Sequence, residues 1–263
     1  MAEGGVTNRT YVIVGGSTGL GFSAARALVA NGAKVGICSR SAESVSRALE
    51  ELGDQCAVGS SLDATETGSV SELIEVTCTR FGTLHGLYHV AGGSGRSKGD
   101  GPLHEITDEG WDYTIRQNLT TVMHSNRAAV RKFREQGGGG VVLNMGSVLG
   151  FSPSPGHFAS HAYAATKAAI EGFSKSLAAY YAKDNIRVNV IAPALVQTPM
   201  SERAREDAEI MEFVRRKQPL DGGRIGTPED LDRAVLYLLG EGSAYMTGQV
   251  VSVDGGWSVT EGL

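Results

Sequence analysis

Residues 10–31 read TYVIVGGSTGLGFSAARALVAN, and this stretch decides the fold class. The run from Thr10 to Gly15 is short, apolar and rich in β-branched residues, which predicts a strand buried on both faces. Glycines then follow with the spacing G-x-x-x-G-x-G, and the run from Phe22 to Asn31 reads as a helix. A strand, a glycine-rich turn and a helix together present backbone N–H groups to a phosphate. The spacing differs from the common G-x-G-x-x-G fingerprint, so the turn alone indicates a nucleotide site without establishing one.

The alternation of strand and helix continues as far as Val253. Further strands are predicted at 34–39, 55–60, 84–91, 141–146, 186–192 and 249–253, with helical segments between them. Such alternation implies parallel strands joined by right-handed crossovers. We therefore predict an α/β fold of the Rossmann type, a doubly wound and mostly seven-stranded parallel sheet with helices on both faces. It would form a single domain over residues 10–263, after an N-terminal tail of residues 1–9.

The composition argues against several classes of protein. The chain has 263 residues, a formal net charge of −5 and an isoelectric point of about 5.7, which gives no electrostatic reason to expect nucleic acid or an anionic membrane as a partner. Cys38, Cys56 and Cys78 show no CxxC pattern and the six histidines show no zinc spacing, so we expect reduced thiols and no metal. No basic segment followed by an apolar one begins the chain, and we expect a cytoplasmic protein.

The end of the second predicted strand bears on the choice of cofactor. In dinucleotide-binding folds an acidic residue at this place binds the ribose 2′-hydroxyl group. Here the sequence is Ser39-Arg40-Ser41. A guanidinium can instead pair with a 2′-phosphate through charge-assisted hydrogen bonds. Arg40 therefore favours NADP(H) over NAD(H), and an ordinary surface arginine is the alternative.

Tyr163 and Lys167 lie four residues apart where a helix is predicted over residues 165–182. This spacing places the two side chains on one helix face. An ammonium beside a phenol lowers the pKa of the phenol, which is ordinarily near ~10, and a tuned tyrosine can exchange a proton with a reacting oxygen. Taken alone, such a pair is more often a packed ring beside a solvated charge.

Several features of this kind occur together and in order, and with them the chain resembles the short-chain dehydrogenase/reductase family along nearly its whole length. The residues that carry the resemblance are Gly15, Gly19, Gly21, Asp63, Ala91, Gly92, Asn118, Ser147, Tyr163, Lys167, Pro193, Thr198 and the run Asp254-Gly255-Gly256. Each match is weak alone, whereas the complete set is specific. The resemblance implies a homodimeric or homotetrameric oxidoreductase that interconverts a ketone and a secondary alcohol by hydride transfer with NADP(H).

The resemblance also implies a role for each matching residue. Tyr163 would be the acid–base group on the substrate oxygen, and Ser147 would hydrogen-bond that oxygen. Lys167 would lower the pKa of Tyr163 and bind the nicotinamide ribose, while Asn118 would position a water molecule that connects Lys167 to solvent. Asp63 would approach the adenine. The complete set of expected cofactor-binding residues is Gly15, Ser17, Thr18, Gly19, Leu20, Gly21, Ser39, Arg40, Asp63, Ala64, Ala91, Gly92, Asn118, Tyr163, Lys167, Pro193, Val196 and Thr198.

Some features leave alternatives open. After the fourth strand the family's usual Asn-Asn-Ala-Gly is His89-Val90-Ala91-Gly92 here, so the way this turn is held is unresolved by the sequence. Ser160 is a rival to Ser147, although Ser147 follows a strand end, where ligands of such folds bind. Segment 201–217 reads either as a substrate lid or as a solvated amphipathic helix. Side chains that could wall an apolar substrate pocket, with ordinary packing as the alternative, are Leu149, Phe151, Phe158, Leu195 and Met200.

Two other functions are compatible with the same sequence. One is an NAD(H)-dependent alcohol, sugar or steroid dehydrogenase. The other is a catalytically weak cofactor-binding sensor or scaffold of the same fold.

Overall fold

The computed structural model describes residues 5–262, and Met1–Gly4 and Leu263 lie outside the described residues. The strands are β1 (Thr10–Val14), β2 (Lys34–Ser39), β3 (Ala57–Ser61), β4 (Gly86–His89), β5 (Gly140–Met145), β6 (Ile186–Pro193) and β7 (Val250–Val253). They form one sheet in the order β3-β2-β1-β4-β5-β6-β7, and every neighbouring pair is parallel. The predicted seven-stranded parallel sheet is confirmed.

The helices alternate with these strands along the chain. They are α1 (Gly19–Ala30), α2 (Ala42–Leu52), α3 (Ser69–Phe81), α4 (Asp108–Ile115), α5 (Thr121–Gln136), α6 (His161–Tyr181), α7 (Glu202–Glu206), α8 (Ala208–Lys217) and α9 (Asp232–Leu239). A π-helical turn, Arg116–Thr120, joins α4 to α5. None of the helices within residues 5–262 has the length and hydropathy needed to span a bilayer.

The central strand β1 is buried on both of its faces because successive side chains of a strand point to opposite sides. Tyr11 and Ile13 lie in one core with α1, α2 and α9. Val12 and Val14 lie in a second core with α3 and α5. This arrangement explains why the strand is uniformly apolar instead of alternating with polar residues.

Three element boundaries differ from the sequence-based expectation. Helix α6 begins at His161, so Tyr163 lies within its first turn. Segment 201–217 forms two helices that are separated at Asp207, whose carboxylate accepts the backbone N–H groups of Glu209 and Ile210 and thereby starts α8. Val6, in the segment assigned to an N-terminal tail, is fully buried in the core beside α1. Because Val6 is a single apolar residue among mostly polar neighbours, the sequence pattern does not predict that it is buried.

The turn after β1 requires glycine for steric reasons. Gly15 has a φ of +87°, and a Cβ atom at this position would lie 2.8 Å from the backbone nitrogen of Ala91. A Cβ atom on Gly21 would lie 2.1 Å from the carbonyl oxygen of Gly15, so helix α1 can leave the turn at this angle only without a side chain there. These contacts bring the turns after β1 and β4 together at one edge of the sheet.

Candidate active site

A cavity of about 550 Å³ opens at the carboxyl ends of the strands. The predicted site residues that line it are Gly15, Thr18, Gly19, Leu20, Ser39, Arg40, Asp63, Ala64, Ala91, Gly92, Ser147, Tyr163, Lys167, Pro193, Val196 and Thr198. Three further predicted residues, Ser17, Gly21 and Asn118, are not among the lining residues. Within residues 5–262 no group of three or more His, Cys, Asp or Glu side chains is arranged to hold a metal ion.

Ser147, Tyr163 and Lys167 meet in this cavity from two elements. Ser147 follows β5, and Tyr163 and Lys167 lie on α6. The Ser147 hydroxyl lies beside the phenol of Tyr163 and acts on it as a hydrogen-bonding group that favours the phenolate. The Nζ atom of Lys167 lies 5.4 Å from the centroid of the Tyr163 ring and donates a 2.9 Å hydrogen bond to the carbonyl oxygen of Met145. Ser160 also lines the cavity, but of the two serines it is Ser147 that acts on the pKa of the Tyr163 phenol.

Burial dominates the ionisation of both helix residues. Burial raises the pKa of Tyr163 to about 12, although the hydrogen bond with Ser147 acts in the opposite direction. Burial also lowers the pKa of Lys167 to about 8. The Tyr163 pKa is therefore set by desolvation of the phenol and by Ser147, and the charge of Lys167 is not among the causes of its shift. At neutral pH the site holds a protonated phenol beside an ammonium group that is itself poorly solvated.

The side chain of Asn118 is committed to the backbone around it. Its Nδ2 atom donates to the carbonyl oxygens of Gly93 and Thr114, each at 2.9 Å, and its Oδ1 atom accepts from the Gly93 N–H at 3.1 Å. Asn118 thus fastens the π-helical turn to the loop that follows β4. The structure gives its side chain no direct bond to Lys167, so any link between these residues runs through the Asn118 backbone or a bridging molecule.

The start of α1 provides the features that a phosphate group needs. Thr18, Gly19 and Leu20 line the cavity, no side chain caps the helix start, and no acidic residue lies in its first turn. Backbone N–H groups and the helix dipole are therefore directed at the cavity without a competing acceptor. The Ser17 hydroxyl bonds to the hydroxyl groups of Ser39 and Ser44 at 2.7 and 2.9 Å. The residues present thus fit the diphosphate of a dinucleotide.

The cavity extends from this helix start to the end of β2. The side chain of Arg40 is exposed there, and no ion pair to it occurs within residues 5–262. Asp63 lies nearby; its carboxylate accepts from the Thr65 N–H at 2.8 Å. Hydrogen bonds from Thr65 and the charges of Arg40 and Arg116 lower the pKa of Asp63 against the opposing effect of burial.

His89 holds the turn after β4, where the family's usual asparagine is absent. It is 1% exposed, and its Nε2 and Nδ1 atoms lie 2.9 Å from the Ala91 carbonyl oxygen and 2.8 Å from the Ser125 hydroxyl. Burial, together with the charge of Lys167, lowers the pKa of His89 to about 3, so the ring is neutral. Only the tautomer with a proton on Nε2 can donate to the Ala91 carbonyl, and Nδ1 then accepts from Ser125. A neutral histidine thus fixes the cavity turn to α5.

Asp100, in the loop between β4 and α4, supports the start of helix α6. It is 5% exposed, and its two carboxylate oxygens accept the backbone N–H groups of Ala162 and Tyr163, each at 3.0 Å. The helix N-cap residue, Ser160, makes no side-chain cap of its own. A carboxylate at this place also complements the positive end of the helix dipole. No sequence pattern predicts this role, since Asp100 lies 63 residues before Tyr163 in an irregular loop.

An apolar wall closes the cavity opposite the glycine-rich turn. Trp257, just after Gly256, is 2% exposed and lies edge-on to the rings of Phe158 and Phe213 at centroid distances of 5.9 and 5.7 Å. Four of the five proposed wall residues, Leu149, Phe158, Leu195 and Met200, line the cavity, whereas Phe151 does not. Trp257 itself was not predicted, although its position directly after the last strand places it at the edge where ligands bind.

The chain resembles known proteins along nearly its whole length. A family model described as enoyl-(acyl carrier protein) reductase matches residues 14–258. The 3-oxoacyl-[acyl-carrier-protein] reductase FabG of Chlamydia trachomatis is 34% identical over 97% of this chain and 99% of its own length. The cis-4-hydroxycyclohexanecarboxylate dehydrogenase of Sinomonas cyclohexanicum is 32% identical over 95% and 96%. The structure of 3-ketoacyl-(acyl-carrier-protein) reductase from Brucella melitensis complexed with NADH has a TM-score of 0.84 at 25% identity, covering 97% of this chain and 100% of that one.

The fold and the site define a class of protein, an oxidoreductase that uses a nicotinamide dinucleotide. A doubly wound sheet, a glycine-rich turn at a bare helix start, and a serine, tyrosine and lysine in one cavity are what hydride-transfer chemistry with such a cofactor requires. The chain belongs to the short-chain dehydrogenase/reductase family and is similar to its ketoreductases. The names of the relatives differ in substrate, so they establish the family and the type of reaction only.

Replacing Asp100 should affect catalysis more than it affects stability. In Asp100→Ala the N–H groups of Ala162 and Tyr163 lose their acceptors, which is expected to lower the free energy of unfolding by about 1–2 kcal/mol. Because the phenol is displaced, kcat should fall about tenfold or more, while the dissociation constant of the cofactor changes little. Asp100→Asn keeps one acceptor and should recover part of kcat. Urea denaturation and steady-state kinetics measure the two effects.

The matched control for Asp100 is Asp207→Ala, which also removes a carboxylate that accepts two N–H groups at a helix start. It should lose similar stability and retain most of kcat. If Asp100→Ala retains full kcat, or if Asp100→Asn recovers none of it, the assigned role of Asp100 is wrong.

The depressed pKa of Lys167 should appear in the pH dependence of stability. The unfolded state, with a lysine pKa of 10.5, binds more protons than the folded state between pH 8 and 10.5, so the free energy of unfolding rises with pH across this window. Below pH 8 the full penalty of the buried charge is present. Lys167→Met removes that penalty and should be more stable than the parent protein at pH 7 by roughly 1–3 kcal/mol, even though the bond to Met145 is lost.

The difference between the parent protein and Lys167→Met should shrink as the pH rises towards 10.5. Urea denaturation at several pH values measures it. Tyr163 titrates in both proteins, so its contribution cancels. The control is Lys175→Met, an exposed lysine of the same helix, which should show no such dependence. A difference in stability that stays constant from pH 7 to 10.5 would contradict the assigned ionisation.

Proposed function

We propose that this protein is an NADP(H)-dependent reductase that interconverts a ketone and a secondary alcohol, with Tyr163 as the acid–base group. The observation that carries this proposal is the convergence of Ser147, Tyr163 and Lys167 in a cavity that the glycine-rich turn also lines. Two hydroxyl groups that converge on one point can hold one carbonyl oxygen. A phenol among them can supply or remove its proton.

When bound, a nicotinamide cofactor would supply the hydride for reduction of the carbonyl carbon and would accept it in oxidation. Negative charge develops on the substrate oxygen in the reducing direction, and hydrogen bonds from Ser147 and Tyr163 stabilise it. The Tyr163 proton moves to that oxygen and completes the alcohol. Because its pKa is near 12, the phenol is protonated at neutral pH and is ready to act as this donor. Lys167 then stabilises the phenolate that remains until a proton returns from solvent.

Asn118 has a positioning role in this proposal. Its side chain holds the loop after β4 at Gly93, and the turn that contains it packs against α6, which carries Tyr163 and Lys167. Its backbone lies in a π-helical turn, where the regular i to i−4 bonding of an α-helix is interrupted. This irregularity is compatible with a bridging water molecule at the Asn118 backbone, as the family resemblance implies.

The preference for NADP(H) rests on Arg40. Its guanidinium is exposed at the end of the cavity, and the acidic residue that would bind a free 2′-hydroxyl group is absent at this strand end. A 2′-phosphate would give Arg40 a charged partner. The carboxylate of Asp63 lies near Arg40, and its bonds to Thr65 leave it placed beside the adenine end of the cavity.

We further propose a small carbonyl or alcohol substrate, a cytoplasmic location and a homo-oligomer, either a dimer or a tetramer. Large apolar side chains that stay exposed in the single chain, such as Tyr180 and Tyr237, support the homo-oligomer. Size-exclusion chromatography with light scattering measures the oligomeric state directly.

Tyr163→Phe should abolish the oxidation of NADPH by a panel of ketones, with a loss in kcat of at least about 10²-fold, because the proton donor is removed. Nicotinamide fluorescence should show that NADPH still binds. The control is Tyr180→Phe, which alters an exposed tyrosine outside the cavity and should retain activity. Undiminished turnover by Tyr163→Phe would remove Tyr163 from the mechanism. A parent protein that binds NADPH but reduces no ketone would favour the sensor or scaffold.

Arg40→Gln should weaken NADPH binding by about tenfold to a hundredfold and leave NADH binding nearly unchanged, because only the 2′-phosphate loses a charge-assisted partner. Fluorescence titrations with both nucleotides measure this ratio. The control is Arg47→Gln on α2, an exposed arginine that does not line the cavity. Equal weakening of both nucleotides would show that Arg40 does not discriminate between them, and tight NADH binding by the parent protein would favour an NAD(H)-dependent dehydrogenase.

A further inference from the structure

Two arginines from different segments meet at the entrance of the cavity. Arg96 lies in the loop after β4, and Arg203 lies in α7. Their Nη2 atoms donate to the same acceptor, the carbonyl oxygen of His157, at 3.3 and 3.5 Å. Both side chains line the cavity. The loop after β4, the loop before α6 and the segment after β6 therefore converge on one backbone oxygen.

Neither guanidinium has a carboxylate partner within residues 5–262. The nearby acid is Asp100, and both of its oxygens are occupied by the N–H groups at the start of α6. Burial and the positive charge of Arg203 lower the pKa of Arg96, while Asp100 raises it. A guanidinium carries five N–H donors, and each of these two uses one on His157. Two like charges therefore face each other with most of their donors unused.

The charge of the cavity is opposite to that of the chain. The protein has a net charge of −5, yet the charged residues that line the cavity are Arg40, Arg96, Arg203 and Lys167 against Asp63 alone. Arg40 lies at the end assigned to the 2′-phosphate of the cofactor, and Lys167 lies beside Tyr163. Arg96 and Arg203 are then left without an assigned partner, at the end that the α7 segment covers.

An apolar surface adjoins the arginine pair and the reacting hydroxyls in the same cavity. Leu149, Phe158, Leu195 and Trp257 form it, and Phe158 follows His157 directly. A ligand there would hold its carbon skeleton against these side chains. One polar end would reach Ser147 and Tyr163, and another would reach the guanidiniums.

We propose that Arg96 and Arg203 form a subsite for an anionic group, a carboxylate or a phosphate, on the substrate, at the end distant from the reacting carbonyl. This subsite rests on the proposed ketone reduction and deepens it by naming the class of substrate. Guanidiniums suit such groups because their paired N–H donors match the spacing of the oxygens. The anion would also remove the repulsion between the two arginines and draw α7 towards the loop after β4.

Matched substrates test the subsite. The pairs are 4-oxopentanoate and its methyl ester, 4-oxocyclohexanecarboxylate and its methyl ester, and dihydroxyacetone phosphate and dihydroxyacetone. At constant ionic strength, we expect kcat/KM with NADPH to be at least about tenfold higher for the anionic substrate than for its neutral partner, either in the carboxylate pairs or in the phosphate pair. The carboxylate pairs and the phosphate pair distinguish the two sources of charge. A parent protein that reduces acids and neutral partners equally well overturns the proposal.

Variants assign the preference to the two arginines. Arg96→Gln and Arg203→Gln should each reduce the preference for the anionic over the neutral substrate. The double variant should abolish this preference by slowing only the anionic substrate. The control is Lys98→Gln, which removes one positive charge from the same short turn but does not line the cavity. The dissociation constant of NADPH should be unchanged in all of them. If the arginine variants slow the anionic and the neutral substrate equally, or weaken NADPH binding, then Arg96 and Arg203 do not recognise the anionic group of the substrate.

A binding experiment separates failure of the subsite from failure of the proposed reaction. The fluorescence of Trp257, which lines the cavity, reports binding of 4-oxopentanoate and dihydroxyacetone phosphate in the presence of NADP⁺ whether or not turnover occurs. Binding by the parent protein that is lost in the double variant upholds the anionic subsite even if no ketone is reduced. Absence of binding, or equal binding by the double variant, overturns it even if neutral ketones are reduced.

Discussion

The site depends on the reversal of strand order between β1 and β4. These strands are neighbours in the sheet, but the chain continues from β1 to β2 on one side and from β4 to β5 on the other. The connections therefore leave in opposite directions and open a crevice at the carboxyl ends. The N–H groups of Val90 and Ala91 both donate to the Val14 carbonyl, at 2.9 and 2.8 Å, and this contact holds the crevice at one width. Gly15 permits it, since a Cβ atom there would collide with Ala91.

Buried polar side chains hold the reacting groups against this edge. His89 bonds the Ala91 carbonyl to α5 through Ser125, and Asn126 and Asn144 exchange two hydrogen bonds, at 2.8 and 2.9 Å, between α5 and β5. Asn144 also donates to Ser174 of α6 at 3.0 Å. Buried polar groups are tolerated only when they are hydrogen-bonded, and a satisfied network fixes one arrangement of the elements that it joins. The position of the Tyr163 helix is thus set by polar contacts as well as by apolar packing.

Desolvation and charge divide the cavity into regions with different chemistry. Around Tyr163 and Lys167, burial favours the neutral form of each group, which raises the pKa of Tyr163 and lowers that of Lys167. At the two ends, arginines remain exposed and retain their charge. Positive charges that line a cavity in an acidic chain raise the local concentration of anionic ligands. They also suit the negatively charged phosphate groups of a dinucleotide. This distribution matches a dinucleotide at one end and favours a charged substrate at the other.

The sequence by itself determined the alternation of strands and helices, the glycine-rich turn and the family, because each of these is written in local periodicity or in the order of short motifs. The order of motifs also singled out Ser147, Tyr163 and Lys167, and all three line the crevice. Only the tertiary structure decided that the Ser17 and Asn118 side chains are engaged in hydrogen bonds with neighbouring residues. It alone brought Asp100 to the start of α6, Arg96 and Arg203 to one carbonyl oxygen, and Trp257 into the apolar wall. These contacts join residues tens to more than a hundred positions apart in irregular loops, where no periodicity links the partners and the geometry of the folded sheet alone decides which side chains meet.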